Sequence, residues 1–243
     1  MTHSICNFIM ILMVLAIVSS VHAEAIYLTQ IKDAQWSDLE LQEAVEKIEE
    51  HKPIKLAGPL NIAPFHNQTV PHTAQGREFC ISCHTDLPHT KSERLRSYLN
   101  MHVNYLACTS CHYQPEGVVL DYRWHYFAGG NNFEDAHKII TPFQQRQTVM
   151  LTIDHPGIAR LLESWEKNDV RRKAEDHLRF HLPLQSEGVD CQGCHTTKNP
   201  LLDYHQLGYD DKAIKTLREN RIARFLADDS FKEKPIKLMD LLQ

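Results

Sequence analysis

Glycine and proline are sparse, 9 and 11 of 243 residues, which excludes collagen-like and low-complexity architectures. Basic residues are not in surplus. Against 31 Asp and Glu stand 26 Lys and Arg, a formal charge of -5, so no electropositive surface for nucleic acid is implied. Beyond the N-terminus no apolar run is long enough to span a membrane, which excludes a polytopic membrane protein. Methionine is scarce too: past residue 23 only Met101, Met150 and Met239 occur. What the chain has in excess is 16 His and 7 Cys, on a background of 42% hydrophobic and 23% charged residues that suits a globular protein.

The first segment reads as an address. Ile5 to Val18 are almost uninterruptedly apolar, and Ser19, Ser20 and Val21-His22-Ala23 follow before the polar chain begins at Glu24. That order predicts an export signal over residues 1–23, removed after Ala23, although the start lacks Lys and Arg. Retained, the same segment would act as an N-terminal membrane anchor, near the lower length limit for a span. Cleavage removes Cys6 and leaves six cysteines over residues 24–243, read as one domain.

Six cysteines in an exported protein would ordinarily suggest three disulfides. Their spacing argues otherwise. They fall as Cys80-Ile-Ser-Cys83-His84, Cys108-Thr-Ser-Cys111-His112 and Cys191-Gln-Gly-Cys194-His195. A C-x-x-C pair alone could be a redox dithiol, and Cys80, Cys83, Cys108 and Cys111 together could be a four-thiolate zinc site. Neither requires the histidine that follows every pair. Covalent haem does: two thiols three positions apart each reach one vinyl group, and the next residue comes beneath the ring with its imidazole toward iron. His84, His112 and His195 are then the proximal ligands of three covalent c-type haems.

With these motifs and its histidine surplus the chain resembles the bacterial multihaem, here trihaem, c-type cytochromes. The resemblance implies an architecture organised around three covalent haems, electron transfer in the periplasm or at the cell surface, and haems packed closely enough for electrons to hop. The fold expected beside it is mainly α with extensive irregular loops and little sheet. A chain of this size can build one core, but here porphyrin would supply much of the apolar material.

The opposite face of each iron needs a second ligand. Abundant His and scarce Met favour His/His ligation, and so low reduction potentials. Each motif has a histidine upstream: His72 before Cys80, His102 before Cys108, His181 before Cys191. This layout looks like that of small multihaem cytochromes, where such a histidine often serves a neighbouring haem. His102 carries a local argument as well. Thr90-Lys91-Ser92-Glu93 reads as a capping box, and Leu95, Tyr98, Leu99, His102 and Leu106 then recur on one helical face. An imidazole on that face needs a partner. His181 and His177 fall four apart on a second expected helix, capped by Asp154, striped by Ile158, Leu161, Leu162 and Trp165, and stopped by Pro183. Of the two, His181 is the candidate. His72 and His66, in a proline-rich stretch, compete for the remaining position. His89 reads as a loop residue near the first motif and His51 as a helix end. His125, His137, His155 and His205 stay open as surface or propionate-contacting residues.

Elsewhere, Ser37 to His51 reads as an amphipathic helix with Leu41, Ala44, Val45 and Ile48 on one face, and Asp210 to Leu226 as another helix. Leu120, Tyr122, Trp124 and Tyr126 alternate with polar residues, a strand period. The first two motifs lie 28 positions apart, which predicts a close pair joined by a helix over 90–106; the third lies 83 further on.

Two function classes follow. In the first, every iron is six-coordinate and the protein relays single electrons between a redox protein donor and an acceptor, including a quinol-linked membrane partner. In the second, one iron has an open site and the chain is an oxidoreductase of a small inorganic species, with Tyr122, Arg123 and His125 as the residues to inspect. A membrane-anchored quinol-oxidising cytochrome is a further alternative. The long stretch before Cys80, and a motif count below the four usual in that group, depart from it.

Overall fold

The computed structural model describes residues 26–51, 78–84, 88–90, 93–127 and 138–227. The expected signal segment therefore lies outside the described residues, as do His66, His72 and His137. Among the described residues no helix is long and apolar enough to cross a membrane. About half of these residues are helical, with one small sheet and irregular connections, which agrees with the expected class in outline.

Helix α1 (Ile26–Asp33) has no forerunner in the sequence reading. It buries Tyr27, Leu28 and Ile31 against Phe79, Tyr113, Val149, Leu151 and Ile158. The expected amphipathic helix is α2 (Asp38–Glu49). Its start is fixed by a reciprocal cap: the Ser37 hydroxyl accepts the Glu40 N–H at 3.3 Å, and the Glu40 carboxylate accepts the Ser37 N–H at 2.7 Å. Leu41 and Ala44 face a distant helix through Ala174, and the two small alanines allow close backbone approach.

Three expected helices are shorter than predicted. The one expected from Asp154 to Pro183 is two. His155, not Asp154, caps α6 (Pro156–Trp165) by accepting the Gly157 N–H on Nδ1 at 3.2 Å. The chain turns at Lys167–Asn168, and Asp169 starts α7 (Val170–His181) by accepting the Arg172 N–H at 2.8 Å. Short polar side chains offer the backbone an alternative to helix, and here they win over the apolar period. The same happens in the last expected helix. Asp210 caps α9 (Asp211–Arg218), then Asn220 accepts the Ala223 N–H at 2.9 Å and opens α10 (Arg221–Ala227). The helix expected over 90–106 is α4 (Glu93–His102); its capping box falls partly outside the described residues, and Leu106 leaves it to bridge Ile140.

The strand period is real. β1 (Asp121–Tyr126) pairs antiparallel with β2 (Lys138–Gln144), Tyr122 opposite Pro142 and Trp124 opposite Ile140. A two-residue turn leads to β3 (Gln147–Thr148), with Gln145 and Arg146 at φ 50 and 69, the left-handed backbone of a tight hairpin. The sheet braces the chain entering the second motif. Ile140 donates its N–H to the Tyr105 carbonyl at 2.7 Å and accepts from Ala107 N–H at 2.9 Å and the Ser110 hydroxyl at 2.9 Å.

Candidate metal centre: three CxxCH turns and their facing histidines

Each motif folds as one short helical turn: α3 (Ile81–His84), α5 (Cys108–His112) and α8 (Cys191–Cys194). In the first, the Cys83 and His84 N–H groups bond the Cys80 carbonyl at 3.2 and 3.0 Å; in the third, the His195 N–H bonds the Cys191 carbonyl at 2.8 Å. A helical turn sets residues three and four apart on one side, so both thiols and the histidine share a face. That is the arrangement the spacing predicts.

The three turns lie together. The Cys80 and Cys108 thiols are within hydrogen-bonding reach of one another, next to the buried Glu78 carboxylate. On the other side of the second turn, Cys111 is close enough to Cys191 and Cys194 for their charges to interact. The 83-residue separation in sequence is closed by a strap. The Gln185 N–H bonds the His112 carbonyl at 2.8 Å and the Val189 N–H bonds the Cys111 carbonyl at 3.1 Å, so residues 185–189 run along the second turn into the third. Gly188 lets it pass closely: a Cβ would stand 3.3 Å from Cys111 Cβ and from Cε1 and Nε2 of His112, a tight approach to both. The second motif is thus the middle one.

Two motif histidines face a histidine from elsewhere. His84 Nε2 lies 3.4 Å from His181 Nε2, ring centroids 5.7 Å apart and planes inclined by 71°. His195 faces His102 in nearly the same geometry, centroids 6.1 Å apart and planes at 66°. His102 and His181 each end a helix, and each directs Nδ1 at the carbonyl four residues back, Tyr98 and His177, at 2.7 Å. His112 Nδ1 bonds the Gln185 carbonyl at 2.9 Å and His195 Nδ1 the Leu217 carbonyl at 2.7 Å. A carbonyl partner assigns the proton to Nδ1 and leaves the Nε2 lone pair for a metal, the usual outer support of a ligating imidazole. Two imidazole–metal bonds of about 2 Å end to end span about 4 Å, so the His84–His181 gap needs to open by only roughly half an ångström to hold one metal. Burial pushes His84, His102 and His181 below the ordinary histidine value, with neighbouring imidazoles adding to it. This desolvation favours the neutral imidazole, the form a ligand needs. The donor set fits haem iron.

Other expected residues are placed differently. His177 stacks on His181 at 4.1 Å, its Nδ1 buried without a partner. His89 is bound to Asn100, His155 caps α6, and His205 approaches Asp211 at 4.0 Å. Tyr122, Arg123 and His125 do not converge. Tyr122 is buried among Ile140 and Tyr204, its hydroxyl pushed up to about 12 by desolvation, while Arg123 pairs with Asp121 on the opposite strand face.

Competing thiol chemistries fit less well. All six described cysteines are free thiols. Burial pushes Cys111 up to about 11 and Cys194 to about 12, opposite to the depressed values of redox-active dithiols. Among the described residues the one metal-sized group besides the histidines is Glu78, Cys80 and Cys108, with ligand atoms within 4.8 Å of one another; the exposed Cys83 is not part of it, so the four-thiolate set is not assembled. Sequence reasoning missed Glu78 and Gly188. Both act across the fold, and neither belongs to a motif. Comparison with protein-family models, curated proteins and solved structures found no match to this chain.

Proposed function

We propose that the chain is a trihaem c-type cytochrome, exported to the periplasm, that relays single electrons between a redox protein donor and an acceptor. The observation that carries this reading is the pair of matched imidazole facings, His84 with His181 and His195 with His102, each joining a CxxCH histidine to the last residue of a helix. Cys80 and Cys83, Cys108 and Cys111, and Cys191 and Cys194 would each tether one haem, every thiol adding across a vinyl group with no atom lost. His84, His112 and His195 take the proximal face; His181 and His102 close the first and third sites. Haem bound there supplies reversible one-electron exchange at iron. The protein's part is to orient His102, His112, His181 and His195 through their carbonyl bonds, to favour the neutral form of His84, His102 and His181 by desolvation, and to hold the three turns together so that the sites form a chain with the second in the middle. Quinol-linked membrane donors remain compatible with this role, and the signal segment decides between a free and an anchored form.

Intact mass of the exported protein tests the reading. A mass above the mature polypeptide by three haems is expected; bare polypeptide overturns it. Carbon monoxide added to the reduced protein should leave the first and third sites unchanged. Prompt binding at either would replace the relay by an open-site oxidoreductase.

A further inference from the structure

We infer that Glu78 is a positioning residue shared by the first two haem sites, and that its carboxylate makes those two haems harder to reduce than the third. This rests on the trihaem reading above. Glu78 stands two residues before Cys80, on backbone pinned by a bridge to Thr152 and by the Phe79 N–H on the Leu151 carbonyl at 2.8 Å. Its side chain crosses to the second motif. One oxygen accepts the Cys108 N–H at 2.6 Å; the other accepts the Thr109 N–H at 3.3 Å and the Thr109 hydroxyl at 3.4 Å. A carboxylate oxygen, Cys80 Sγ and Cys108 Sγ all fall within 4.8 Å of one another. The group therefore occupies the point where the first thiols of two motifs meet, and one side chain fixes their spacing.

Its charge acts at both sites. Glu78 is only 5% exposed, and among the described residues no Lys or Arg is among the groups that act on its carboxyl. Burial raises its proton affinity above an ordinary carboxylate's, against the opposing Cys108 and Thr109 N–H groups, so the potentials are compared at alkaline pH, where the carboxyl is ionised. A charge in a poorly solvated interior is weakly screened, so it reaches both neighbouring porphyrins. Ferric haem carries one more positive charge than ferrous, so a nearby anion favours the ferric state and lowers the potential; charge and burial are established levers on haem potential. Among the described residues the third motif has no equivalent. Its nearest carboxylate, Asp190, is exposed and spends one oxygen on the Gly193 N–H at 2.8 Å. Solvent and salt screen it.

The test is Glu78→Gln in the full exported protein, with potentials measured by spectroelectrochemical titration. The amide keeps an acceptor for the Cys108 N–H and removes the charge. The native mass is read first: absence of three haems there sinks the trihaem reading and this inference with it, whereas with three haems present only the potentials below can overturn the inference. With three haems attached in the variant, two potentials should move upward and one stay. Three unmoved potentials, or all three moving together, overturn the inference. If the variant matures with fewer haems, Glu78→Asp decides, because it keeps the charge. Three haems with two potentials still below the third support the assignment; three haems with that gap closed overturn it.

Discussion

At the scale of single residues the fold depends on a few histidines and glycines. His102 was legible: the i, i+3, i+4, i+7 series put it on the face that carries the buried Tyr98. That His102 faces His195, and that His84 meets His181 97 positions away, could not be read from spacing, because chain reversal over that range depends on packing among all the elements between. The pairing is testable. His102→Met should raise one potential and His181→Met a different one, since thioether ligation raises the potential of the site it enters. The double variant should raise two, and a single shared shift would refute the two separate pairs. Gly193 gives a second prediction. A Cβ there would lie 2.2 Å from Val189 Cγ1, and a β-branched side chain has little freedom to turn away. Gly193→Ala should therefore destabilise the third turn by about 1–3 kcal/mol, the usual cost of overpacking, and show as a lower denaturation midpoint.

At the scale of elements, helix starts were easier to read than helix stops. The starts read at Ser37 and Asp210 are N-caps in the structure, while the cap read at Asp154 falls to His155. The stops at Trp165 and Arg218 were not legible, because the apolar period runs on through them and only the side chains of Asp169 and Asn220 show that a new helix begins. β1 was legible from its alternation. β2 was not, since it is buried at Ile139, Ile140 and Thr141 in succession and shows no alternation. Asp169→Ala should cost about 1 kcal/mol, the worth of a lost N-cap, and loosen the helix that presents His181. The β2–β3 turn offers the opposite change. Gln145 and Arg146 both hold positive φ, a backbone that costs a non-glycine residue roughly 1 kcal/mol. Arg146→Gly should recover part of that, read as a higher melting temperature with the haem spectrum unaltered.

At the scale of the whole molecule, imidazoles and thiols from residues 80 to 195 gather in one partly exposed cluster beside the apolar ones. Acid is the condition that should expose this. His84, His102, His177 and His181 are all depressed by burial, His177 to about 4. The unfolded chain binds protons on these residues near pH 6.5 while the folded chain does not, so stability is full above that value and falls as pH drops toward the folded values. The urea midpoint of the exported protein should thus hold level from pH 8 to about 7 and decline from about 6.5 toward 4. Under the trihaem reading, iron coordination would add to the slope with the same sign, since protons and metal compete for the same Nε2 lone pairs. A midpoint that rose on acidification would mean that carboxylates, not the buried histidines, govern the folded state. The same cluster predicts how the chain behaves without haem. Its imidazoles and thiols have little apolar area to bury against one another, and haem ligation, under the proposed reading, would stabilise only the folded form. Chain made in cells lacking cytochrome maturation should show well under the helix content of the exported protein by circular dichroism. Equal helix content in the two would show that the protein scaffold alone sets the fold and that the histidine facings exist before any haem arrives.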